Sequence, residues 1–120
     1  MTIREILLVF VGGGLGSATR FVLSRFLNTH NMPWGTLVIN IVGCFLIGAL
    51  AGLLGKTSID KALYAFLAVG FCGGFTTFSS FGLENVLMLE SDQFLKTLCY
   101  IIFSVVLGIG AAYLGLKYTR

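Results

Sequence analysis

Thirteen consecutive residues, Gly70-Phe71-Cys72-Gly73-Gly74-Phe75-Thr76-Thr77-Phe78-Ser79-Ser80-Phe81-Gly82, hold four phenylalanines, four small hydroxylated side chains and four glycines. Phe78 and Phe81 are three apart, which puts both on roughly one side of a helix. Thr77, Ser80 and Glu84 form a polar stripe beside them. The edge of an aromatic ring is electropositive, so two ring edges among hydroxyls can receive a partly dehydrated anion. Glycines in mid-segment weaken a helix, and nearby Thr and Ser can satisfy the backbone groups set free. A break here releases carbonyls, those of Gly73 and Thr76 among them, and oxygen cages suit hard cations such as Na⁺. Gly73→Ala is expected to harm such a site by restricting the backbone angles. Against this stands the plain reading that the rings face lipid, since the chain has eleven phenylalanines.

Other polar groups sit in otherwise apolar surroundings. Arg20 lies about two turns from the end of its stretch, where a charge is costly unless it meets water or an anion. It reads either as a residue of an anion vestibule or as an arginine snorkelling to the interface. Asn40 shares a face with Thr36, Gly43, Cys44 and Gly48. Its amide can donate to an anion or tie two helices together. Tyr100, Ser104 and Gly108 recur at four-residue spacing, although a serine in such a helix often bonds its own preceding carbonyl.

Positioning these groups falls to four apolar stretches, roughly Ile6–Leu27, Trp34–Leu54, Ala62–Met88 and Phe94–Leu116. Each meets the requirement of about 20 residues for a helical span. The chain of 120 residues is 57% hydrophobic and only 11% charged, with a mean hydropathy of +0.96. Soluble domains carry about 25% charged residues, so this composition excludes a water-covered globule. The expected fold is all-α: a single four-helix transmembrane domain over 1–120, the third helix broken near the bilayer midplane. The Gly-rich first stretch runs into Arg20 and Arg25 with no small-residue cleavage site, so it is read as a mature helix rather than a signal peptide.

Cys44, Cys72 and Cys99 lie singly in different spans, neither a disulfide framework nor a metal-ligand spacing. Glycine pairs at four-residue spacing, Gly12/Gly16, Gly48/Gly52 and Gly70/Gly74, let membrane helices approach closely and favour a tightly packed oligomer. Arg4, Lys56, Lys61, Lys117 and Arg120 fall on one side of the membrane, and Arg20, Arg25 and Lys96 on the other. This small bias fits either termini in the cytoplasm or insertion in both orientations. A break at mid-depth keeps its depth when a copy is inverted, so two antiparallel copies can bring four carbonyl oxygens around one point.

Gly12–Phe21, Gly35–Gly43 and Gly70–Phe81 resemble, in order and over nearly the whole chain, the three signatures of the Fluc (CrcB) fluoride channels. The resemblance implies an antiparallel, dual-topology homodimer in the cell membrane, with two fluoride pores and a central structural Na⁺ that is not transported. Residue by residue, Gly73 and Thr76 match the carbonyls that hold that ion. Phe78 and Phe81 match the paired pore phenylalanines, Asn40 the pore asparagine and Arg20 the vestibule arginine. Tyr100 and Ser104 match polar positions of the fourth helix. Phe21 stands where Tyr is common and Ser80 where Thr is common, while Gly108 replaces a serine of some members. The implied activity is passive export of cytoplasmic fluoride down the membrane potential.

No phosphate-binding loop, acid pair or nucleophile–base set is present, so no enzyme and no nucleic-acid partner is expected. The rival from another class is a small four-span proton-coupled multidrug exporter. That chemistry needs a titratable acid deep in the membrane, and the first span has none, while Glu84 lies beyond the expected break.

Overall fold

Thr2 caps the first helix by accepting the Glu5 amide, while Glu5 Oε2 accepts the Thr2 amide at 3.1 Å. This reciprocal box opens α1, Ile3–Leu27. Pro33 ends the short connection that follows, and α2 runs Trp34–Gly55. Asp60 Oδ1 accepts the Leu63 amide at 2.7 Å and starts α3, Lys61–Tyr64. The backbone then widens into π-helical turns over Ala65–Cys72 and tightens again in α4, Gly73–Phe75. Residues 76–78 are not helical. After them come α5, Ser79–Glu90, and α6, Phe94–Thr119. A left-handed residue, Asp92 with φ 57°, makes the tight turn between these last two. The computed structural model describes all residues 1–120.

Four segments are long and apolar enough to cross a membrane: Ile3–Leu27, Trp34–Gly55, Lys61–Glu90 and Phe94–Thr119. The protein is a multi-pass membrane protein with a bent third span. The apolar stretches lie inside these helices, which continue for a few polar residues at their ends.

The spans pack as two pairs. Residues 61–75 of the third span lie along α1, and α2 lies along α6. Glycines make both contacts possible. A methyl group added at Gly12 or Gly16 would run into the carbonyls of Phe66 or Phe71, and one at Gly74 into the carbonyl of Gly13. In the second pair, Gly48 lies against the Ala112 carbonyl, Gly52 against Thr119, and Gly115 against the Phe45 carbonyl. The three four-residue glycine pairs therefore act within one chain, which corrects the expectation that they speak for an oligomer. The physical reason is that close backbone approach is needed first between neighbouring spans.

Only 19 of 120 residues are buried. Lipid tails are as apolar as leucine, so exposed Leu, Ile and Phe carry no penalty in a bilayer. The feature that matters is backbone without helical hydrogen bonds, and it occurs around the non-helical residues 76–78.

Candidate functional site

In an unbroken helix the Thr77 amide would reach the Gly73 carbonyl, and the Ser80 amide the Thr76 carbonyl. Neither bond forms. The Thr77 N–H donates to Asn40 Oδ1 at 2.8 Å, and Asn40 Nδ2 donates back to the Thr77 carbonyl at 3.0 Å. The Ser80 N–H donates to Thr77 Oγ1 at 3.1 Å. One asparagine on α2 thus takes over the peptide at the break, and one threonine caps the helix that resumes. The carbonyls of Gly73 and Thr76 are left with no donor from the chain.

Upstream, Arg20 Nε donates to the Gly74 carbonyl at 3.0 Å, and an Arg20 terminal nitrogen donates to Ser17 Oγ at 3.2 Å. The guanidinium therefore occupies another carbonyl near the break, on the α1 side.

An open groove of about 310 Å³ runs beside the break. Asn40, Thr76, Thr77, Phe78, Phe81 and Ser104 line it, with Gly43, Cys44 and Cys72 in its floor. Gly43 is glycine for a local reason, because a methyl group there would strike the Thr76 side chain. Phe78 and Phe81 have ring centroids 5.8 Å apart at 50°, and Phe78 is 84% exposed. Ser104 is half-buried and does not bond its preceding turn, so its hydroxyl is free toward the groove. The groove offers one spare Asn40 N–H, hydroxyls and ring edges, and no charged group. That set suits a small, hard anion that must exchange its water shell without being trapped.

Phe81 is held from behind. The Tyr100 ring meets it edge to face, with centroids 5.1 Å apart. The Tyr100 hydroxyl donates to Glu84 Oε1 at 2.9 Å, and the Thr36 hydroxyl donates to Glu84 Oε2 at 2.7 Å. The Thr36 amide in turn donates to Asn28 Oδ1 at 3.1 Å. Glu84 therefore clasps α2, α5 and α6 together, beside a polar pocket that Asn28, Asn31, Ser91 and Gln93 line with it.

The predicted residues separate into two groups. Asn40, Thr76, Thr77, Phe78, Phe81 and Ser104 meet at the groove. Arg20, Gly73, Ser80 and Tyr100 do not line it. Arg20 binds the α4 backbone, Ser80 begins α5, and Tyr100 supports Phe81. Sequence reasoning missed the Glu84 clasp. A lone acid in an apolar span signals that donors must exist, but the donors sit 16 and 48 residues away.

Gly73 also behaves differently from expectation. Its φ of −63° and ψ of −37° are ordinary right-handed helix, and no glycine has positive φ. Its nearest obstacle to a methyl group is the Ala68 carbonyl at 4.0 Å. Restricted backbone angles are therefore not what an alanine would suffer here.

Residues 7–116 match the family described as CrcB-like protein, Camphor Resistance (CrcB). The chain is 43% identical to a protein of Gloeothece citriformis named fluoride-specific ion channel FluC, over 93% of this chain and 94% of the relative. A protein of the same name from Phocaeicola vulgatus is 43% identical over 94% of this chain and 96% of the relative. One from Flavobacterium psychrophilum is 42% identical over 94% of each.

Proposed function

This chain belongs to the CrcB family, and from that premise we propose that it conducts fluoride passively across the membrane. A channel family is not an enzyme family, and the chain is not an enzyme. One observation carries the mechanism: a helix break at mid-span, with an exposed phenylalanine and two donor-free carbonyls, on the open surface of the protomer. Non-helical backbone at membrane depth persists only where protein buries it or water reaches it. A second copy over the break meets the first condition, and the groove meets the second.

In this reading fluoride enters the groove and sheds water onto the spare Asn40 N–H, the Thr77 and Ser104 hydroxyls, and the edges of Phe78 and Phe81. Asn40 has a double part, since its other contacts hold the Thr77 peptide. Tyr100 fixes the tilt of Phe81, and Arg20 supplies positive potential from the α1 side. The lack of a fixed cation in the groove keeps binding shallow enough for release.

In this reading the two copies lie antiparallel; inversion leaves a mid-depth break at mid-depth, so the two breaks still meet. Their Gly73 and Thr76 carbonyls are the groups suited to hold Na⁺, since all four lack donors and are hard oxygen ligands. A Na⁺ held by them would supply structural positive charge at the subunit junction. Direction follows from the membrane potential, which in a negative-inside cell drives the anion outward.

Purified protein in liposomes loaded with potassium fluoride, or in parallel with potassium chloride, tests the reading. Added valinomycin should start fluoride efflux into fluoride-free medium, with chloride retained. No efflux, or drug exchange coupled to a proton gradient, overturns it. Cysteine placed in the 56–60 loop should be labelled by impermeant reagent from both sides of the membrane; one-sided labelling overturns the antiparallel pairing.

A further inference from the structure

A second cleft of about 380 Å³ opens where the N-terminal ends of α2 and α6 meet. Trp34, Leu37, Phe103 and Leu107 line it, Tyr100 closes its inner wall, and Lys96 stands at its edge. α6 gives Ser104 and Val105 to the fluoride groove but Phe103 and Leu107 to this cleft. The two therefore open on different sides of that helix. A second copy seated over the groove leaves the cleft facing the bilayer.

The cleft has the two-part chemistry of a lipid. Its walls are apolar, while Trp34 begins α2 and Lys96 is the third residue of α6. Both therefore sit at a span end, the level of the headgroups, where tryptophan is favoured. Lys96 is half-buried and lines the cleft, and a lysine on apolar surface covers it with its stem while its charge stays at the rim. It makes no hydrogen bond or ion pair within the chain. Apolar walls below an unpaired cation are complementary to an acyl chain below a phosphate.

We propose that this cleft binds one anionic phospholipid, its acyl chain against Trp34, Leu37, Phe103 and Leu107 and its phosphate at Lys96. The bound chain backs the wall formed by Tyr100, the residue that holds Phe81.

Trp34 is the single tryptophan of the protein and reports on the cleft directly. The protein is reconstituted in phosphatidylcholine vesicles containing graded brominated phosphatidylglycerol, or brominated phosphatidylcholine, and Trp34 quenching is titrated. One lysine at the surface supports a preference of about fivefold for the anionic lipid. Lys96→Gln should abolish that preference while leaving quenching by brominated phosphatidylcholine unchanged, which shows that the variant is folded and inserted. Lys96→Arg should retain it. Equal quenching by both lipids in the parental protein overturns the proposal, as does a preference that survives Lys96→Gln. Weak quenching by both means that protein covers the cleft and overturns it too. None of these readouts depends on fluoride flux.

Discussion

The two sides of the bent third span use one glycine-rich motif in opposite ways. Along α1, residues 61–75 pack through what glycine lacks: Gly12, Gly16 and Gly74 let backbone touch backbone. At the end of that contact Arg20 donates to the Gly74 carbonyl, so the guanidinium and not the helix satisfies it. At the break, contact depends on what side chains add. Asn40 takes both polar groups of the Thr77 peptide, Thr77 caps α5, and two carbonyls stay free. The glycines thus build a closed interface, and the break that follows them is made by polar substitution for the helix's own bonds.

Breaking the closed side should have the largest effect. Gly16→Val places a branched side chain against the Phe71 carbonyl, at a cost of about 3 kcal/mol or more. Size-exclusion chromatography in detergent should show loss of the monodisperse protein. Asn40→Asp comes next. It removes the donor to the Thr77 carbonyl and puts negative charge in an anion path, so fluoride efflux should fall about thirtyfold or more, from the loss of roughly 2 kcal/mol. Its elution profile should stay closer to the parental one than that of Gly16→Val. If the order of damage to folding is reversed, the two regions do not divide as described.

Phe78→Ile should leave folding intact, because the ring is almost wholly exposed in the protomer. Efflux should fall by about tenfold, the scale of one lost aromatic interaction; parental efflux would make Phe78 a packing residue. Gly73→Ala sharpens the comparison most finely. Within one chain it is tolerated, with a gain of up to about 1 kcal/mol in helix preference. Any defect must come from outside the chain. Under the proposed pairing, cross-linking should show fewer dimers and conduction should respond less to Na⁺ removal, while circular dichroism stays unchanged. An unaltered dimer would separate Gly73 from the subunit junction.

The four spans were legible because length and apolar composition are local properties, and a bilayer reads them directly. The position of the bend was legible to within a few residues, as the hydroxyl run Thr76–Ser80 stood out in an apolar setting. Its cause was less so. Glycine appeared to be the breaker, yet Gly70, Gly73 and Gly74 are all helical. For Asn40, two uses of the amide stood level on composition, and the structure shows it bound to Thr77 with one N–H to spare. Glu84 appeared as the end of a stripe, whereas it joins three helices.

By itself, then, the sequence determined a four-span membrane protein with one polar, aromatic interruption in its third span, since every such feature follows from neighbours in the chain. Tertiary structure alone decided which groups the interruption leaves open. A backbone carbonyl is satisfied or free according to whether some side chain stands about 3 Å away, and Asn40 reaches Thr77 across 37 residues of chain. The same holds for the glycine pairs. Spacing says that a close approach is possible, but only the packed helices show that it is made inside one protomer.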